Sequence, residues 1–588
     1  MPHSSHRDSD LVTLLSGHFQ VLYPDHPVES LLSEATAIFA GFTPPDRAST
    51  ADLWSSSDCM LITYGDSLVE PGCDPLRTLD RFLTEFLPGV FSLVHVLPFF
   101  PFSSDDGFAV VDYRKVNPDL GDWDDFEQLA SHGRLMADLV INHVSSQSEW
   151  FSDYVAGRSP GADYFLEVRE ADDVSQVVRP RTSPLMRPTM TPSGLRQVWC
   201  TFSHDQVDLD FHNPAVLLEF LSIIRLYLER GVSILRLDAV GFLWKQPGTN
   251  CMHLPQTHEV VRLLRTIVDH YAPGTILITE TNVPNHENLS YFGNRNEAHI
   301  VYNFSLAPLL VHALLTGETQ YLKRWLMSMP PAPAGCTYLN FTASHDGIGM
   351  RPAEGLLSEQ EQAQLVDTIS RFEGQVSTRR SADGGERVYE LNIALFDAMK
   401  GTTQGEDDLQ MERFLCSQSV MMAVEGIPAF YIHSLLATPN DAAAVRASGQ
   451  NRSINRSRLN LQEVREKLLD GKSVNCRVFQ EVIRRLTIRG NQPAFHPNAT
   501  QFTLQLGDAF FAFWRQSSDR EQSIFAVHNM SARPQELRLS DLNLISLDVW
   551  HDLVSGCCYA DLHATIDVAP YQCLWITNAA LSDYSVLR

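Results

Sequence analysis

Eight times between Cys59 and Ile432 a short apolar run with no polar alternation is followed by a longer stretch of helical hydrophobic periodicity. A strand with one wet face alternates, so runs that do not alternate belong to a parallel sheet covered on both faces. The runs fall at residues 60–64, 93–97, 135–141, 232–237, 275–279, 299–304, 337–341 and 429–432. The helices between them carry start and stop signals. Asp74-Pro75 opens an apolar set at Leu76, Leu79, Leu83 and Phe86, while Asn213-Pro214 opens Leu217 to Leu228 and Gly231 closes it. Eight strand–helix units in series predict an α/β chain folded as a closed (β/α)8 TIM barrel.

Two long insertions break this rhythm, at 145–210 after the third strand and at 347–404 after the seventh. Both follow C-terminal strand ends, the face on which such barrels build active sites, so both are expected to wall a pocket. The barrel itself is then made of 59–144, 211–346 and 405–497. Residues 1–58 form an extension packed on it, with one helix read from Val28, Leu31, Leu32, Ala35 and Phe39. After a helix at 478–488 the texture changes to short apolar runs, among them Phe510-Phe-Ala-Phe-Trp514, which predicts an all-β C-terminal domain over 498–588.

The 588-residue chain has 44% hydrophobic residues, enough for a large core, and a formal charge of −26. That field repels phosphate backbones, so nucleic acid is not an expected partner, and any anionic ligand needs a local basic pocket. The ten cysteines show no CxxC pair and read as reduced core thiols, Cys557-Cys558 included. Met1 to Asp10 is polar, without a leader pattern, and no run of about 18 apolar residues occurs, so a cytoplasmic protein with no membrane partner is expected. The acids Asp119, Asp122, Asp124 and Asp125 lack the ligand spacing and glycine turn of a calcium loop, and no metal is expected.

The residues at the strand ends carry the chemistry. They are Asp138 with His143, Arg236 with Asp238, Glu280, and His345 with Asp346. An acid at one strand end is usually a helix cap; several acids, two imidazoles and an arginine on one rim are not. Retaining glycosyl transfer needs one carboxylate as nucleophile and a second as general acid, about 5–5.5 Å apart. Arg236 lies two residues before Asp238, on the same strand face, and is expected to keep it ionised. Glu280 follows an apolar run, an environment that raises a carboxyl pKa. Asp346 is left to stabilise the transition state or bind hydroxyls.

These stretches resemble glycoside hydrolase family 13, the α-amylase superfamily: Asp138-Leu-Val-Ile-Asn-His143, Leu235-Arg-Leu-Asp238-Ala239, Ile278-Thr-Glu280 and Ala343-Ser-His345-Asp346, in order. The resemblance implies Asp238 as nucleophile, Glu280 as acid/base and Asp346 as transition-state stabiliser, with His143, Arg236 and His345 around the transferred glucose. Leu61-Ile-Thr-Tyr64-Gly-Asp66, His95-Val-Leu-Pro-Phe-Phe100 and His345-Asp-Gly-Ile-Gly349 resemble its sucrose phosphorylase branch. That branch implies further glucosyl contacts at Asp105, Phe108, Gln206 and Arg452, and a phosphate site at Arg181, of Arg179-Pro-Arg181, and Tyr389. Other aromatics near the barrel mouth, Phe99, Phe100, Trp150, Phe151 and Trp244, read as packing.

A phosphorylase must favour phosphate at roughly millimolar levels over water at roughly 55 M, a handicap of about 10⁴ or about 5.5 kcal/mol. A dedicated anion site is therefore expected at Arg181, with Arg179 and Arg187 nearby; the alternative pairs these arginines with the acids between Glu167 and Asp173. Glu390, where sucrose phosphorylases carry glutamine, should alter the acceptor site, and His433 is a further candidate contact. The extension, Ser344-His345 and Arg452-Ser-Ile-Asn-Arg-Ser457 are similar to the glucosylglycerate phosphorylases of the branch. The resemblance thus implies phosphorolysis of a glucoside of D-glycerate, with inorganic phosphate as co-substrate, no cofactor, and an oligomeric state open between monomer and homodimer. The alternatives are sucrose, sucrose 6′-phosphate or glucosylglycerol phosphorylase and a plain α-glucosidase or transglucosidase; a non-enzymatic sugar-binding scaffold conflicts with three intact acids. Candidate cations for the acceptor carboxylate are Arg181, Arg187, Arg351 and Arg446.

Overall fold

The computed structural model describes residues 2–44, 53–181, 183–380, 385–545 and 548–579, the side chains of 2–8 and of 380 aside. Met1, part of the expected extension (45–52) and the last residues of the C-terminal domain (580–588) lie outside them. At the centre is a closed parallel barrel of β1 (Met60–Thr63), β2 (Leu93–Val96), β3 (Arg134–Val140), β4 (Val232–Asp238), β5 (Ile276–Thr279), β6 (Ile300–Tyr302), β7 (Thr337–Asn340) and β8 (Ile427–Tyr431). Each strand pairs with the next, and β8 returns to β1 with Ala429 beside Met60. Arg134 is the one residue of these strands that is not buried, which is why their sequences do not alternate. β8 starts two residues earlier than expected: Pro428 stands within it, opposite Asn340, although proline cannot donate to a ladder.

Register places the site. Asp138 of β3 and Ile278 of β5 flank Arg236 of β4. One pleat further on, Glu280 follows the end of β5 beside Asp238, its N–H donating to Leu237 O at 3.1 Å. The first insertion holds a helix, Glu149–Ala156, and a hairpin, Met186–Thr191 with Gly194–Trp199. The second holds a helix, Glu359–Arg371, and a three-stranded sheet in which Glu386–Asn392 lies between Ile348–Gly349 and Gln375–Arg380.

The N-terminal extension contains two helices where the sequence suggested one. α1 (Pro2–Leu22) buries Leu11, Leu15, Phe19 and Leu22 and runs along the helix Pro255–Tyr271, with His18 bonded to Glu259 at 2.7 Å and Thr266 at 3.0 Å. Its stripe is narrow and its polar content high, so periodicity alone did not disclose it. α2 (Val28–Ile38) packs on the helix Pro214–Glu229.

At the C-terminus a six-stranded sheet runs in the order Thr500–Leu504, Phe510–Gln516, Ser523–Asn529, Cys573–Thr577, Trp550–Asp552, Cys558–Tyr559. Alternate residues serve two cores. Phe511, Phe513, Ala526 and Trp575 join the core that includes the barrel, while Phe510, Ala512, Phe525 and Leu574 form a second one on the other face.

All ten cysteines are free thiols, and the core assignment fails for three of them. Cys73 is half-buried, while Cys557 and Cys558 are exposed because they close a turn in which the Cys557 carbonyl accepts from Asp552 N at 2.8 Å. Asp122 and Asp125 form a capping box on the helix Trp123–Gln128, which accounts for two acids of that run. Among the described residues no helix is long and apolar enough to cross a membrane.

Candidate active site

The C-terminal mouth of the barrel opens into a pocket lined from both insertions and the strand ends. At its floor Arg236 Nη1 donates to Asp238 Oδ1 at 2.7 Å and makes a shorter contact with Asp138, which also accepts from His95 Nε2 at 2.7 Å. Immediately after Asp238 the chain turns through a left-handed residue, Ala239 (φ 50°), and this aims its N–H at Glu280 Oε2, 3.1 Å away. A non-glycine residue held there stores local strain, and here the strained turn links the two carboxylates.

A second cluster closes the glucosyl side. Arg452 donates Nη1 to Asp346 Oδ1 at 2.8 Å and forks onto Glu390 at 2.5 and 3.0 Å. Arg456 donates to the His345 carbonyl at 2.9 Å, fixing the loop that carries Asp346. Gly347 lets that loop run against the second insertion: its φ is 89°, and a Cβ there would stand 2.5 Å from Leu391 O. The His345 ring stacks on Phe108, centroids 5.2 Å apart. His143 Nε2 lies 3.0 Å from Phe108 O, and Gln206 Nε2 donates to Asp105 Oδ2 at 3.2 Å.

The outer end is built differently. Arg181, from the first insertion, faces Tyr389, from the second, its guanidinium 5.9 Å from the ring centroid. Arg351, Asn282, Met252 and His253 complete this wall.

Electrostatics separates the acids. Burial, opposed by Arg236 but reinforced by Glu280 and Asp138, pushes Asp238 up; burial and Asp346, again against Arg236, push Glu280 up. At Asp346 burial is outweighed by Arg452, His345 and Arg456, which hold the carboxyl well below its usual range. Asp105 and Asp138 are likewise held low despite burial, Asp105 chiefly by Arg452 and Asp138 chiefly by Arg236. Burial holds His345 down at about 3, hence neutral, and lifts Tyr389 to about 12. Arg236 thus touches Asp238 as expected, but it is shared with Asp138 and does not by itself offset burial.

The α-amylase catalytic domain family matches residues 90–338. Over 95% of its length the chain is 40% identical to the glucosylglycerate phosphorylase of Allomeiothermus silvanus, spanning 98% of that protein. Over 82% it is 42% identical to the glucosylglycerate phosphorylase of Spirochaeta thermophila, spanning 81% of it. The chain belongs to the α-amylase family, in its sucrose phosphorylase branch. A solved member, sucrose 6F-phosphate phosphorylase from Thermoanaerobacter thermosaccharolyticum, superposes with a TM-score of 0.70 at 26% identity, covering 82% of this chain and 96% of that one.

In this α-amylase family member, thirteen of the fourteen expected site residues line the one pocket: Asp105, Phe108, His143, Arg181, Gln206, Arg236, Asp238, Glu280, His345, Asp346, Tyr389, Glu390 and Arg452. His433 does not. It is buried behind β8, with Nδ1 3.2 Å from Thr438 Oγ1, because the chain turns into a short helix, Ile432–Leu435, directly after the strand. Glu390 reaches the pocket, yet its carboxylate is engaged by Arg452, so it orients that arginine instead of presenting a free anion to an acceptor. Of the arginine trio only Arg181 lines the pocket. Arg179 donates to the Cys200 carbonyl at 3.0 Å and Arg187 to the His204 carbonyl at 2.6 Å. Glu167, the suggested rival partner, is bonded to Tyr154 at 2.8 Å. The five other aromatics are core packing and lie outside the pocket lining. Sequence reasoning passed over Asn282 and Arg456. The first sits two residues after Glu280 and the second lies within the Arg452 motif, so proximity to already chosen residues was the available signal.

Proposed function

We propose that the protein is a retaining α-glucoside phosphorylase that converts 2-O-α-D-glucosyl-D-glycerate and phosphate reversibly into α-D-glucose 1-phosphate and D-glycerate. The observation that carries the chemistry is the juxtaposition of Asp238 and Glu280 on neighbouring strands, with Arg181 and Tyr389 facing them across the same pocket. The acceptor assignment is supported by the two glucosylglycerate phosphorylases matched over most of their length.

Two buried carboxyls that repel one another hold one proton between them. Asp238 already accepts a charge-assisted bond from Arg236, whereas among the described residues Glu280 accepts only from the Ala239 amide, so the proton belongs on Glu280. Asp238 attacks the anomeric carbon while Glu280 protonates the departing glycerate oxygen. Phosphate then enters beside Arg181 and Tyr389, and one of its oxygens attacks the same carbon as the bond to Asp238 breaks, with Glu280 taking up the phosphate proton. Two inversions leave the α configuration. Asp346, kept anionic by Arg452, stabilises the positive charge that develops on the sugar ring. Phosphate is a co-substrate, and no step calls on a cofactor.

The test is phosphate release from α-D-glucose 1-phosphate with D-glycerate, fructose, fructose 6-phosphate, glycerol or water offered separately. Release with D-glycerate far above the others is expected. Preference for fructose or its phosphate would make this a sucrose-type enzyme, preference for glycerol a glucosylglycerol phosphorylase, and release with water alone would overturn the phosphorylase reading.

A further inference from the structure

Arg351 lines the pocket but takes no part in the steps just derived. It begins a short turn, Arg351–Ala353, and is held against the acceptor wall because the preceding Met350 N–H donates to Tyr389 O at 2.9 Å. Arg236 and Arg452, at the glucosyl end of the same pocket, meet carboxylates at 2.5–2.8 Å. Arg351, with its side chain only 13% exposed, has described contacts to Met252 Sδ at 3.9 and 4.0 Å and to Glu287 at 3.9 Å. Glu287 also faces His253 Nε2 at 3.2 Å. A largely buried cation whose described contacts are long ones to soft sulfur and to a shared carboxylate is undercompensated, a costly state unless an anion completes it.

Beside it stands a second unfilled group. Asn282 Oδ1 is buried and has no hydrogen-bond partner among the described residues. The Asn282 side chain lies against Gly349, where a Cβ would come within 2.8 Å of it. The wall therefore offers a forked donor and, lining the same pocket, an acceptor for a hydroxyl, the complement of a small hydroxy acid.

Two of the competing cations lie outside the pocket. Arg187 is engaged by the His204 carbonyl, and Arg446 is exposed on the helix Ala442–Ser448; neither lines the pocket. Arg181 lines the same pocket but comes from the other insertion, and it faces Phe202 and Tyr389. Two anionic reactants thus meet two arginines that lack close carboxylate partners among the described residues.

We propose that Arg351 binds the carboxylate of the acceptor acid and that Asn282 accepts one of its hydroxyls, which makes Arg351 the residue that selects an acidic over a neutral acceptor. This rests on the phosphorylase reading. Arg181 serves phosphate, and the two anions are handled by different guanidiniums on different insertions.

The experiment compares wild type, Arg351→Gln and Arg351→Lys in glucosyl transfer from α-D-glucose 1-phosphate to D-glycerate and to glycerol, with arsenate-dependent glucose release as a third readout. Loss of charge-assisted bonds to the carboxylate is expected to lower the D-glycerate-to-glycerol ratio of kcat/KM by about thirty- to a hundredfold in Arg351→Gln, with part of the loss restored in Arg351→Lys. Should removal of the guanidinium impair folding, Asn282→Asp sets an anion beside an intact Arg351 and is expected to depress the same ratio. A ratio unchanged within threefold overturns the assignment, as does a KM for arsenate that rises in parallel with that for D-glycerate. Wild type that transfers to fructose and not to D-glycerate instead sinks the substrate reading and this proposal together, so the two failures are told apart before any variant is made.

Discussion

The two ends of the pocket are wired differently. At the glucosyl end the charged groups meet partners within the protein: Arg236 joins Asp138 and Asp238, and Arg452 joins Asp346 and Glu390. At the acceptor end Arg351 has only long contacts, Arg181 faces aromatic rings, and Asn282 Oδ1 has no partner among the described residues. A network closed on itself is rigid and reads the same sugar in both half-reactions; open valences wait for whichever anion arrives. The net charge of −26 makes this contrast necessary, since an anion must leave water and cross an acidic field to bind.

Breaking the closed end at its reacting centre should have the largest effect. Asp238→Asn is expected to lower kcat by about 10⁴ or more in either direction, checked by steady-state phosphate release, and more than about a percent of residual turnover would remove Asp238 as nucleophile. The same variant should not cost stability. A carboxyl whose pKa is raised by burial binds its proton more tightly when folded, so its contribution to stability is present below the unfolded pKa and lost as pH rises through the folded one. At pH 7 the penalty is present in wild type and absent in the asparagine variant. Its melting midpoint is expected to equal or exceed that of wild type, with the difference shrinking near pH 4.

Glu280→Gln comes next, with a loss of about 10²–10⁴ for glycerate as leaving group, because the proton donor is gone. α-D-Glucosyl fluoride, which departs without a proton, should suffer far less as donor, and equal losses for the two donors would argue against the acid role. Phosphorolysis needs Glu280 protonated, and its pKa is raised, chiefly by burial. The alkaline limb of kcat/KM for the glucoside is therefore expected above the ordinary glutamate range, and it should vanish in Glu280→Gln.

The supporting network tests rigidity itself. Glu390→Gln halves the fork that holds Arg452, and removing one charge from a buried pair strands the other. A fall of about ten- to a hundredfold in kcat/KM for α-D-glucose 1-phosphate is expected. The D-glycerate-to-glycerol preference should move less than it does in Arg351→Gln. A reversed order would mean that Glu390 acts on the acceptor directly.

The closed end was also the legible end. Asp238 ends, and Glu280 and Asp346 follow, strands whose unbroken apolar character forces them into a barrel, and the period of two along β4 puts Arg236 on the same side as Asp238. Arg351 and Asn282 belong to loops, and their approach depends on bare contacts such as Gly349 and on the Met350 bond to Tyr389, neither of which has a periodic trace. The N-terminal helix was missed for a related reason: its buried stripe of Leu11, Leu15, Phe19 and Leu22 has meaning only once the helix beneath it is known.

The smallest effect is expected at a residue outside the pocket lining. His433 follows β8 by two residues, and from sequence it is as good a candidate for the acceptor as the residues that do reach it. The helical turn at Ile432–Leu435 carries it away, and burial lowers its pKa to about 4, so it stays neutral through physiological pH. His433→Asn keeps a polar group near Thr438 and should change the KM for D-glycerate by less than about twofold, as surface-distant substitutions that touch no ligand do. A rise comparable with that in Arg351→Gln would place the boundary of the acceptor site one layer deeper and would mean that the open end is tuned from behind as well as from its wall.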